Sequence, residues 1–107
     1  MKKMKLIQQG DVILELVETL PKEAKRQKPR ERGVVLADGE TTGHAHVMAP
    51  MYTSLFLVGT LFYVKVEKQT TLTHEEHNHL EIPPGVYKVR QVREYDHFAE
   101  EARRVRD

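Results

Sequence analysis

Apolar residues recur at every second position through most of this chain, the period of a strand with one covered face. In residues 11–18 (DVILELVE), Val12, Leu14 and Leu16 alternate against Asp11, Ile13 and Glu15. Residues 61–67 likewise set Phe62, Val64 and Val66 against Tyr63, Lys65 and Glu67. Turn formers separate these runs: Asp38-Gly39 after residues 34–37, Gly59-Thr60 after residues 55–58, and Pro83-Pro84-Gly85 before VYKVRQVREY. Glycine in such pairs accepts the positive φ of a tight hairpin turn, so two hairpins are predicted, with residues 40–48 as the second strand of the first.

Two segments break this period. After Tyr95, Phe98, Ala102 and Val105 stand at i, i+4 and i+7, with Asp96 as N-cap, Glu100 and Glu101 early and Arg103, Arg104 and Arg106 late. That order suits a helix and its dipole, and a short C-terminal helix is expected. Residues 19–32 have no period and hold Pro21 and Pro29, which predicts a mobile basic connection. The expected fold is mainly β: six or seven strands in a small antiparallel barrel, roll or sandwich. Closure, or a helix laid over an edge, would protect the sheet from pairing with other chains.

Composition narrows this further. At 107 residues the chain is expected to be a single β-rich domain, residues 1–107. There is no cysteine, so any metal site must use His, Asp or Glu, and a Cys-type zinc finger is excluded. No apolar run approaches the roughly 18 residues of a membrane helix, and the basic N-terminus lacks a signal-peptide core, so no membrane partner and a cytoplasmic location are expected. Net charge is only +1, yet residues 22–32 carry six Lys or Arg against two Glu. That run is either a solvated loop or a phosphate-holding surface.

The chemistry lies in the histidines. TGHAHV, residues 42–47, carries His44 and His46, and THEEHNH, residues 73–79, carries His74, His77 and His79. On a strand, i and i+2 share a face, so His44 and His46 offer two imidazoles to one point, and His77 and His79 have the same relation. His74 and His77 fall on opposite faces unless the chain bends between them. Asn78 stands four residues after His74, so the zincin helix motif is absent.

Three readings remain open: a polar strand face, a metal site, and metal-free acid–base chemistry. Metal ligands would come from His44, His46, His74, His77, His79 and Glu40, a set suited to a divalent transition metal such as Zn, Mn, Fe or Ni. Catalytic candidates are His44, His46, His77, Glu75 and Glu76, with a glutamate as base toward metal-bound water. Without metal, one histidine would take a proton and another give one, on an RNA or other phosphodiester substrate held by Arg90, Arg93 or the basic run. A small-molecule substrate fits the metal-dependent hydrolase, and edge pairing of a small β-fold makes a homodimer plausible.

The GHAH pair, a later histidine cluster and PPGVY together resemble the cupin superfamily over roughly residues 33–95. The resemblance implies a small β-barrel with a divalent metal in its mouth and His44 and His46 as the HxH ligands. The glutamate that follows HxH in cupins is missing from VMAPMYT, and the second cluster precedes Pro83-Pro84-Gly85 instead of following it. The QGDV start, TGHAH, HEEH and REYDHF also resemble a group of short, uncharacterised bacterial or phage proteins. That second resemblance implies one compact module with paired histidine motifs.

Overall fold

A computed structural model describes residues 5–38 and 43–92. Ten strands are formed: β1 (Leu6–Gln9), β2 (Val12–Val17), β3 (Lys25–Gln27), β4 (Val34–Asp38), β5 (Ala45–Met48), β6 (Thr53–Val58), β7 (Leu61–Val66), β8 (Thr70–Thr73), β9 (Leu80–Ile82) and β10 (Gly85–Gln91). They make two antiparallel sheets, one ordered β1-β2-β10-β7-β6-β3 and the other β4-β5-β8-β9. The fold is mainly β and antiparallel as expected, but the described residues form ten strands where six or seven were expected, and neither sheet closes into a barrel. The excess consists of pieces of three or four residues, too short to display a period. No helix among the described residues is long and apolar enough to cross a membrane. The expected C-terminal helix lies outside the described residues.

The core is where the inner faces of the sheets meet. Val12 and Leu14 of β2, Val64 and Val66 of β7, and Tyr87 and Val89 of β10 pack with Met48 of β5, Leu72 of β8 and Ile82 of β9. The alternation read in β2 and β7 therefore marks the buried face, although Ile13, on the opposite side of β2, is buried too. Truncating a side chain as enclosed as Leu72 to Ala would cost about 2–5 kcal/mol. Leu72 directly precedes the segment that carries His74 and His77, so core packing and site are tied together.

The turns explain how the chain changes sheet. Gly59 has φ 61° and Val58 pairs with Leu61, so Gly59-Thr60 is the predicted two-residue hairpin. Pro83 and Pro84 carry the chain from β9 in one sheet to β10 in the other, and the buried Tyr87 hydroxyl donates to the Pro83 carbonyl at 2.7 Å. The Asp38-Gly39 hairpin differs from expectation. Asp38 pairs with Ala45, so the connection runs over residues 39–44, and a bulge between Val35 and Ala37 shifts the register. The basic segment 19–32 also carries structure: β3 pairs with the edge of β6, and Arg30 and Gly33 exchange backbone hydrogen bonds at 2.9 Å. An edge strand held by backbone bonds alone needs no apolar period, which is why charge concealed it.

One buried polar atom in this core has no partner among the described residues, the hydroxyl of Thr53 on β6. Because Val has the same shape, Thr53→Val removes an unpaired group without opening a cavity. We expect it to raise stability by about 1 kcal/mol in urea denaturation, and a loss of stability would show that the hydroxyl is bonded in solution.

Candidate functional site

The site is generated by the register between β5 and β8. Val47 pairs with Thr73 and Met48 with Leu72. Continued one step beyond the ladder, that register sets His46 opposite His74, then Ala45 opposite Glu75, then His44 opposite Glu76. Side-chain contacts carry it on. The His46 and His74 ring centres are 4.3 Å apart. The Ala45 N–H donates to Glu75 Oε1 at 2.9 Å, and His44 Nδ1 lies 2.9 Å from Glu76 Oε2. The chain bends after His74, so His77, though exposed, also comes near, 4.7 Å from His74 and 6.0 Å from His46 between ring centres. His44 lies 5.8 Å from His74.

Four of the five clustered histidines therefore converge, while exposed His79 takes no part in these ring contacts. Glu40 and Arg93 lie outside the described residues. Arg90 pairs with Glu15 across β10 and β2 at 3.3 Å and lines neither of the two described pockets. Glu75 is a strap: its second oxygen takes the Arg32 guanidinium, and the Ala45 N–H, with its own backbone N–H and Arg32, holds its carboxyl down to about 2.

Two site residues escaped the sequence reading, Gln9 and Asp11. β1 and β2 form a hairpin whose Gln9 pairs with Val12, leaving Gly10-Asp11 as its two-residue turn, with Gly10 at φ 58°. The signal was present in QGDV, since Gly-Asp between two strands is itself a hairpin dipeptide. This turn sits under the histidines. The Gln9 amide is oriented by its own bonds: Nε2 donates to the carbonyls of Leu72 and Asn78 at 3.0 and 2.9 Å, leaving Oε1 for His46 Nδ1 at 2.9 Å. An oxygen there only accepts, so Nδ1 carries the proton. His46 Nε2 then faces Asp11 Oδ1 at 3.0 Å.

Burial pushes the His46 imidazole below its ordinary value; Asp11 opposes this and the neighbouring His74 and His77 reinforce it. For Asp11, burial pushes upward, but a hydrogen bond from Gln91 and, when the ring is protonated, the hydrogen bond and charge of His46 outweigh it and hold the carboxyl low. In His74 the roles are reversed: Nδ1 accepts the Glu76 N–H at 3.0 Å, so the neutral ring carries its proton on Nε2. These groups open into a pocket of about 170 Å³ lined by Asp11, His44, His46, His74 and Glu76. His44, His74 and Glu75 each place a ligand atom within 4.8 Å of the others.

A family model described as "Domain of unknown function (DUF8820)" matches residues 8–92, a span that includes every described site residue. No curated protein and no solved structure matches the chain.

Two expectations test this geometry. Removing the Glu75 strap should change how stability responds to acid. A carboxyl held at about 2 when folded and near 4.5 when unfolded stabilises the fold above pH 4.5, and this is lost as pH falls toward 2. The gap in melting temperature between wild type and Glu75→Gln should therefore narrow from pH 5 to pH 2.5, and a gap constant over that range would exclude the strap. In Gly10→Ala, the new Cβ would lie 2.4 Å from His77 Nε2 at a positive φ. We expect a loss of about 1 kcal/mol and NMR shifts at His77, and an unmoved His77 would contradict the contact.

Proposed function

The chain belongs to the DUF8820 family, a domain family of unknown function, and from its own side-chain geometry we propose that it is a divalent-metal-binding β-domain with His46 and Asp11 as its paired ligands and His44, which lines the same pocket, as the third. The observation that carries this reading is the fixed orientation of His46. With Nδ1–H held by Gln9, its Nε2 lone pair meets a carboxylate oxygen 3.0 Å away. Two electron-rich atoms stand that close only with a positive centre between them, and two ligands bound about 2.1 Å from one ion at adjacent positions lie about 3 Å apart.

The surroundings support the same reading. Glu76 holds His44 through Nδ1 as Gln9 holds His46, the outer contact that typically orients a metal-binding imidazole. Two histidines and a carboxylate suit Zn, Mn, Fe or Ni. With its proton on Nε2, His74 serves as a hydrogen-bond donor at the pocket wall instead of a ligand. An ion with positions left open toward the pocket would act as a Lewis acid, and hydrolysis is the reaction class this chemistry favours, with Glu76 and His74 as the proton-handling groups.

Isothermal titration of the full chain with Zn²⁺, Mn²⁺, Fe²⁺ and Ni²⁺ tests the proposal. Wild type should bind one ion; His44→Ala and Asp11→Asn should lose it, His74→Gln should keep it, and Gln9→Leu should weaken it by about 10–100-fold. Metal below about a tenth of stoichiometry after native purification, with no rise in melting temperature on adding any of the four, would sink the reading. The contact between His46 and Asp11 also admits a bridging proton, the basis of a metal-free acid–base site. Phosphodiester cleavage that persists in EDTA and disappears in His46→Asn would select that alternative.

A further inference from the structure

A second and larger cavity, about 380 Å³, adjoins the histidine pocket and shares Ala37, Asp38 and Gln91 with it. Its floor is apolar, with Val35 and Leu55 buried and Phe62 half-buried against the core. Its rim is cationic. Lys28 and Arg30, both exposed, come from the basic segment whose Arg32 is already tied to Glu75. Arg30 reaches Asp38 at 3.0 Å, while Lys28 makes no ion pair among the described residues. The backbone explains why these cations stand here: β3 pairs with β6, which carries Leu55, and the bridge between Arg30 and Gly33 folds the chain back into β4, which carries Val35. Cavities of about 300–1,000 Å³ are those that enclose small ligands, and here polar groups make up more of the lining than the apolar floor does.

We propose that this groove binds a small organic anion, its apolar or aromatic body lying on Phe62 and Leu55 and its phosphate or carboxylate held by Lys28 and Arg30. Charge and surface type decide the class. A bare inorganic anion would leave the apolar floor uncovered, and a neutral apolar molecule would leave Lys28 without a counter-charge. That the bound anion is also the substrate rests on the reading of the neighbouring histidines as a metal site, because the shared wall leads from one cavity to the other.

The probe is phenyl phosphate, titrated into the full-length chain in EDTA and followed by ¹⁵N NMR, with inorganic phosphate as comparison. Shifts are expected at Val35, Leu55 and Phe62, with inorganic phosphate binding far more weakly. Lys28→Glu should weaken phenyl phosphate about fivefold or more while its metal titration stays that of wild type. No binding, binding indifferent to Lys28→Glu, or shifts confined to the histidines would each overturn the groove. Because the titration is done without metal, a wild type that binds no ion defeats the metal reading alone. Intact metal binding beside an empty groove defeats this proposal alone.

Discussion

The antiparallel register of β5 on β8 is the constraint from which the site follows. Val47 opposite Thr73 is a backbone fact, fixed by ladder hydrogen bonds and by the burial of Met48 and Leu72. In an antiparallel pair, opposite residues point to the same side, so this register brings two distant sequence motifs together pair by pair. A slip of one residue would turn the whole histidine set to the other face. Glu75 extends the ladder past its end, its carboxylate accepting the Ala45 N–H in place of a backbone carbonyl. An exposed carboxylate with two partners is thus part of the positioning.

The Gln9-Gly10-Asp11 turn supplies the second support, and it comes from the other sheet. Gln9 is buried and spans from β1 to the carbonyls of Leu72 and Asn78, tying the hairpin of one sheet to the histidine loop of the other. One side chain thereby satisfies two backbone acceptors, the Leu72 one buried, and fixes the protonated nitrogen of His46. Gly10 makes room, since any Cβ at that point would meet the His77 ring. The histidines are therefore held from both sides, by the β5 and β8 register and by a tight turn packed against them. That preorganisation is what a binding site requires of its scaffold.

The basic segment and Arg90 of β10 exchange importance when seen in the fold. Arg90 is engaged with Glu15 on the neighbouring strand, its diagonal neighbour across the pair since Glu15 stands directly opposite Lys88. Lys28 and Arg30 instead rim the groove beside the histidines. Both sets look alike as charges in a sequence. Only the pairing of β3 with β6 separates them, and that pairing uses backbone groups, which every residue has.

The sequence alone determined that this is a β-protein without thiol chemistry and which strand faces are covered, because those follow from residue type and period. It also set His44 and His46 two residues apart, and both line the pocket although His44 precedes β5. The meeting of His44 and His46 with His74 and His77 was legible only as a condition, because pairing partners depend on which apolar faces bury together. The tertiary structure alone decided the contributions of Gln9 and Asp11, the strap made by Glu75 and the two-sheet form. It did so because each arises from contacts between residues far apart in the chain, and the energy of such contacts is not written in either partner by itself.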